Sequence, residues 1–359
     1  MRQGPVAGRF VAGGGRFRSG PDMTGTRLRT PLCGLLGCDL PIVLAGMAGI
    51  SRAELVCAVT CAGGFGFLGM AREQAMTIRS EVEAVRAVTG RPFGVSFVPA
   101  ATRPDLLEEE VAACIDLGVV AVMLFWNLDE RLVARLKDAG IRVVCQIGSR
   151  QEAEAAQRAG ADALVVQGVE AGGHVRGSLP LAKLLREVVA SSDVPVLAAG
   201  GIVDGRDLAA ALAMGAQGVV VGTAFVASPE SFAHPDYKRI LLAAQAEDTV
   251  ITDVFHIGWP IAAKMRVLRN STTARDRREA FRIPPVEIGT EEGRPIYRFG
   301  ADAPRRSTTG DVEAMALYAG RGVGRVTALV PAAERVAAIA AQAEAMLSAP
   351  EGNAQSAPK

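Results

Sequence analysis

The chain holds three histidines in 359 residues, and one of them, His174, follows two glycines in the stretch QGVEAGGHVRG (167–177). An imidazole with an ordinary pKa of about 6.5 can take a proton from carbon as a neutral base, or hold an anion as a cation. Two further stretches, AAGGIVDGRD (198–207) and VGTAF (221–225), offer backbone chemistry instead. Gly200 and Gly201 would expose N–H groups beside a helix start, where unpaired donors and the helix dipole favour an anion. Gly222 permits close approach and Thr223 adds a hydroxyl, so the two loops together read as a phosphate cradle. A Cβ at Gly172 or Gly173 would then intrude where a flat cofactor lies. The plainer alternatives are a structural histidine and glycines that only make tight turns.

Other candidates carry weaker signals. Glu170 and Arg176 flank His174 and read as charges that order the loop. Trp126 and Asn127 follow an apolar run in MLFWNLD, and Met70 follows GFGFLG, so each could wall a pocket or simply pack. His256, close to Trp259, could line a pocket, whereas His234 beside Pro235 reads as surface loop. The six cysteines show no CxxC spacing. Cys57 and Cys61, one helical turn apart on an apolar segment, read as core rather than as metal ligands, and the sequence points to no metal. Cys145 falls inside a strand, where a buried thiol is the default.

The elements that must position these residues show as a rhythm. Apolar runs at 41–45, 64–68, 92–97, 119–125, 142–147, 162–167, 194–199 and 218–222 alternate with amphipathic segments such as DERLVARLKDAG and DGRDLAAALAMGA. Near-continuous hydrophobicity means that both strand faces are covered, as in a parallel sheet under helices. Ser or Asp opens several segments and Gly closes most of them. Eight strand and helix units predict an α/β fold of the (β/α)8 TIM-barrel type. An open doubly wound sheet is the weaker alternative, since no GxGxxG follows the first strand. In a barrel the chemistry gathers at the carboxyl ends of the strands, which is where His174 and both glycine loops fall.

The barrel is expected over 27–228 and 316–348, with the helix near 331–347 closing the ring. Residues 229–315 read as a mostly helical excursion covering the barrel mouth. Residues 1–26 read as a disordered leader and 349–359 as a disordered tail. With 49% hydrophobic and 21% charged residues and a net charge of +1, the composition predicts a globular protein with a small-molecule partner. It offers no electrostatic footprint for nucleic acid or an anionic membrane, and no apolar run of spanning length. Unpaired thiols suit a reducing cytoplasm.

Taken in order, PIVLAGMAG, GGFGFLG, QGVEAGGH, VPVLAAGGIVDG and GAQGVVVGTAF resemble the nitronate monooxygenases, a family of FMN-dependent TIM barrels, from about Leu32 to YAGRGVG at 318–324. The resemblance implies bound FMN and a nitronate substrate oxidised with O2 to a carbonyl compound and nitrite. It implies that Ala45 and Met47 face the flavin mainly through backbone atoms, and that Gln167, Gly172 and Gly173 contact ring and ribityl. Gly200 and Gly201 would hold one side of the phosphate, Val220, Val221, Gly222 and Thr223 the other, with His174 as the active-site histidine. Ser96 stands where the family commonly has Asn, and Gln146 stands where some members have Lys near the flavin N1 and O2 edge. A neutral Gln146 favours the anionic reduced flavin less strongly. Enoyl-acyl carrier protein reductases of the FabK type and some NAD(P)H:quinone reductases look similar, so a flavin reductase is the alternative reading. A non-enzymatic flavin-binding protein would leave His174 without a task. The inosine monophosphate dehydrogenases need a loop cysteine, and the loop after the sixth strand has none. A homodimer is one open arrangement.

Overall fold

Each of the eight apolar runs becomes a strand, and neighbouring strands pair in parallel until the last meets the first. The barrel strands are β1 (Ile42–Leu44), β2 (Phe65–Gly69), β3 (Gly94–Phe97), β4 (Ala121–Phe125), β5 (Arg142–Ile147) and β6 (Ala163–Gln167), and then, after an intervening short strand β7 (Gly173–His174), β8 (Val196–Ala199) and β9 (Gly218–Val221). Three of them begin later than the apolar run because Pro41, Pro92 and Pro195 lack the N–H a ladder needs. The computed structural model describes residues 28–126, 128–259, 263–276, 278 and 285–348. The expected leader and tail, and Asn127, lie outside the described residues.

Alternation along the strands divides two cores. Val43, Phe67, Met123, Val144, Val165, Leu197 and Val220 fill the barrel interior, where Phe65 and Phe67 meet edge-on at 5.0 Å. Their neighbours Leu44, Leu124, Cys145, Val166 and Val221 face outward against the helices. This parity sends Ser96, Gln146 and Gln167 inward at the carboxyl ends and puts Cys145 between sheet and helices. At the amino end, α1 (Pro31–Leu36) plugs the barrel with Leu32, Cys33 and Leu36, and the Thr30 hydroxyl donates to the Gln217 carbonyl at 2.6 Å.

The helices that follow are α2 (Ala53–Cys61), α3 (Ala75–Val88), α4 (Pro104–Leu117), α5 (Glu130–Asp138), α6 (Arg150–Arg158), α7 (Leu181–Val189), α8 (Gly205–Ala213), the single turn α9 (Thr223–Val226) and α10 (Pro235–Ala243). The last helix, α11 (Ala332–Ser348), packs against α8 and α2 and closes the ring. Gly205 lets it come that close, because a Cβ there would meet the Ile339 carbonyl at 2.4 Å.

The excursion corrects one expectation. Among the described residues it is not mostly helical: α10 and short 3-10 turns accompany β10 (Thr249–Thr252), β11 (Met265–Leu268), β12 (Glu287–Glu291), β13 (Arg294–Tyr297) and β14 (Thr309–Gly310). Strands β12 and β13 form a hairpin across Glu292 and Gly293, both at positive φ (49° and 78°), the handedness that matches strand twist in a two-residue turn. Strands β10 and β11 join β7 in an antiparallel sheet, with Met265 opposite His174. The excursion therefore builds part of the site.

Candidate active site

His174 is held from two sides. Its backbone pairs with β11, and Val175 N–H donates to the Lys264 carbonyl at 2.9 Å. From the barrel, Gln167 Nε2 donates to the His174 carbonyl at 2.8 Å while Gln167 Oε1 accepts from Arg176 N–H at 3.1 Å. Arg266 of β11 donates to the Val169 carbonyl through Nη2 at 2.9 Å, fixing the start of the same loop. The ring of His174 stacks on Trp259 with centroids 3.4 Å apart and planes 14° apart, and Tyr318 lies 5.6 Å away. The residue faces a cavity, yet its Nε2 is shut off from water and has no hydrogen-bond partner among the described residues.

A nitrogen left in that state costs free energy unless a ligand satisfies it. Desolvation pushes the imidazole down to about 3, and the Arg72 guanidinium on the same cavity adds to the effect. His174 is therefore neutral near pH 7, which favours the base over the cation of the sequence reading. In the unfolded chain the ring takes up a proton below about pH 6.5, whereas the folded ring stays neutral down to about 3. Between those values the unfolded state binds more protons, so stability falls as pH falls, by at most about 1.4 kcal/mol per pH unit. His174→Gln should lose that contribution, which urea midpoints at about pH 7 and about pH 5.5 will read as a smaller acid shift than in the parent.

Every expected contact residue except Val221 lines this cavity: Ala45, Met47, Ser96, Gln146, Gln167, Gly172, Gly173, Gly200, Gly201, Val220, Gly222 and Thr223 surround His174. Val221 points outward into the helix layer, and its carbonyl accepts from Ala45 N–H at 3.0 Å. Ala45 and Met47 are present, but their backbone groups are largely spent within the turn. Met47 N–H donates to the Ala45 carbonyl and Ser51 Oγ, and the Ser51 hydroxyl donates to the Ala45 carbonyl. What they offer is the Ala45 methyl and the Met47 thioether. Gln167 still lines the cavity, with one N–H and one lone pair left beyond its two loop bonds.

The glycines divide by cause. Gly172 is needed for packing, since a Cβ there would meet Gly320 N at 2.5 Å and Ala319 C at 2.6 Å, not a cofactor space. Gly173 (φ +80°) faces open space, and Gly200 (φ +117°) and Gly201 (φ +71°) turn the chain in the left-handed region. The helix start beside them is already satisfied: Asp204 and Asp207 cap α8 reciprocally, and Gly205 N–H donates to Gln342 Oε1. The anion donors there are loop groups, not the α8 terminus. The N–H groups of Gly201 and Thr223 donate to no acceptor among the described residues, and Thr223 Oγ1 accepts from Gly320 N–H at 3.0 Å, leaving its hydroxyl hydrogen to donate.

Other contributors had no sequence signal. Arg72, at φ +65°, donates to the Gly258 carbonyl at 2.6 Å and to Asp302 at 2.8 Å across the cavity mouth. Arg305, buried and paired with Glu73 at 3.1 Å, also lines the cavity, and its Nη1 has no hydrogen-bond partner among the described residues. The remaining candidates take structural posts. Glu170 accepts from Leu181 N–H at the start of α7, Arg176 pairs with Glu152 at 2.6 Å, and His234 caps α10. His256 packs on Phe299 and is not a cavity residue; Met70 is core.

The profile of a family described as nitronate monooxygenase matches residues 29–342. The (3aS,4S,5R,7aS)-5-hydroxy-7a-methyl-1-oxo-octahydro-1H-indene-4-carboxyl-CoA dehydrogenase of Mycobacterium tuberculosis is 41% identical over 231 residues, a stretch that spans 63% of this chain and 63% of that relative's length. FabK from Thermotoga maritima is similar in structure with a TM-score of 0.77 and 31% identity, over 89% of this chain and 97% of the other. A nitroalkane oxidase from Streptomyces ansochromogenes gives a TM-score of 0.73 and 32% identity, over 89% and 99%. Among the described residues no helix is long and apolar enough to cross a membrane.

Proposed function

The chain belongs to the nitronate monooxygenase family of oxidoreductases, whose profile spans most of it, and from that premise we propose that it binds FMN and oxidises nitronates, with O2, to carbonyl compounds and nitrite. The observation that carries this reading is His174 on the cavity that the two glycine loops face, its shielded Nε2 without a partner among the described residues. FMN fits there: the loop donors of Gly201 and Thr223 suit its phosphate, and the open space at Gly173 suits a flat ring. When bound, the flavin supplies the electron acceptor that the oxidation needs and passes electrons to O2.

The rest falls to this chain's side chains. Neutral His174, on the cavity wall, takes the α-proton of a nitroalkane, or donates a hydrogen bond to a nitro oxygen through its N–H. Trp259 holds the ring plane by stacking. Arg72 and Arg305, each also ion-paired, bring positive charge to the cavity wall, the task a protonated His174 would otherwise have. Trp259 and Tyr318 of the excursion side exclude water, which strengthens these interactions.

Two of the named relatives, the carboxyl-CoA dehydrogenase and FabK, favour a second reading, acyl-thioester chemistry with a nicotinamide. Anaerobic mixing of the yellow holoprotein separates the two. Propyl nitronate should reduce the flavin within the mixing time and NADPH or NADH should not; rapid bleaching by either nicotinamide, with nitronate inert, overturns the monooxygenase reading.

A further inference from the structure

Beside the reacting cavity lies a second chamber of about 320 Å³, a volume at the low end for ligand pockets. It opens between the carboxyl ends of β4 and β5 and helix α6. Its floor is apolar: Leu124, Cys145 and Ile147 point outward from the barrel, and all three are buried. Helix α6 faces them with Ala155 and Ala156, whose small side chains leave the gap that a larger residue would fill. Phe125 and Gln146 line both the chamber and the reacting cavity, so the two are neighbours through one wall.

Trp126 stands at that border. It holds φ +68°, a conformation rare for a bulky side chain and commonest where function demands it. The outlier sets its indole edge-on to His174 (6.4 Å between centroids) and to Trp259 (6.2 Å), while lining the chamber with its own surface. At the rim, Arg176 lies 4.9 Å over the indole and pairs with Glu152 at 2.6 Å, so each charge has a partner. A chamber with an apolar floor and a neutralised rim selects an uncharged, apolar group.

We propose that this chamber receives the apolar tail of the substrate, an unbranched alkyl chain, while the reacting carbon stays at His174, and that Trp126 is the partition that sets chain-length specificity. The inference rests on the nitronate reading and names its substrate class: long-chain primary nitronates. A series from ethyl to octyl nitronate on the holoenzyme tests it. kcat/KM should rise up to about fourfold per methylene until the chamber is full. Ala155→Leu, or the milder Ala156→Val if the first fails to fold, should flatten that rise and leave ethyl nitronate unchanged. A readout without turnover comes from the chain's two tryptophans: in Trp259→Phe holoenzyme the emission is that of Trp126, which 1-nitrooctane should shift and nitroethane should not. A flat chain-length series with unmoved Trp126 emission overturns the proposal while leaving nitronate oxidation standing. Emission that shifts with 1-nitrooctane, and is abolished by Ala155→Leu, upholds the chamber even if no nitronate is oxidised, in which case the nitronate reading falls alone.

Discussion

His174→Ala is expected to purify yellow and to lose about 10²- to 10⁴-fold in kcat/KM for a neutral nitroalkane, whose α-proton must leave before oxidation, the range that one positioned general base supplies. FMN retention follows from where the holding groups are. The cradle donors belong to Gly201 and Thr223, and the wall is completed by Gly222 and Met47, none of which depends on the imidazole. Loss of turnover follows from the place of His174 on the cavity wall, where its shielded Nε2 has no hydrogen-bond partner among the described residues. Removing the ring also takes away one face of the Trp259 stack, so His174→Phe is the better control for packing. Stopped-flow flavin reduction by 1-nitropropane measures the effect directly, with propyl nitronate, already deprotonated, as the control that bypasses the base. Normal rates in both variants would remove His174 from the chemistry.

The second large effect is expected at Gly201. At φ +71° the position is left-handed, which Asp and Asn tolerate best among residues with a side chain, and a Cβ there meets only the Glu170 Cβ, at 3.4 Å. Gly201→Asn and Gly201→Asp should therefore fold alike. They differ by one negative charge placed where the FMN phosphate is expected, and such like-charge contacts cost several kcal/mol. We expect Gly201→Asp to weaken FMN binding by about 10²-fold or more and Gly201→Asn by less than about tenfold. Titration of the apoprotein with FMN, followed by flavin fluorescence, decides it. Equal affinities in the two variants would place the phosphate elsewhere.

Much of this was legible in the chain because local pattern and tertiary role agreed. The apolar runs became barrel strands, and the parity that buries Val144 and Val165 inside the barrel is the one that turns Gln146 and Gln167 into the cavity. The same parity, applied one residue further, would have excluded Val221 at the start. The hairpin of the excursion also had a readable signal in TEEGRP, where a Glu-Gly pair separates two short strands. Arg72, Arg305 and Trp259 gave no signal of their own. Each is an ordinary loop residue in sequence and becomes a cavity wall only through contacts distant along the chain, such as Arg72 with Asp302 and Trp259 with His174. Gly172 illustrates a different gap: its glycine was expected, but its reason, the backbone of 319–320, lies in a distant loop.

The pairing of β7 with β11 carries a consequence for the order in which the enzyme matures. All eight barrel strands have been made once the chain reaches Val221, including the β9 strand that closes the barrel on β1. The partner of His174, Met265, is synthesised only later, and Tyr318, which bridges Val267, later still. A newly made barrel can thus have its sheet before its imidazole has an address, and catalytic competence arrives as a separate, final event in biogenesis.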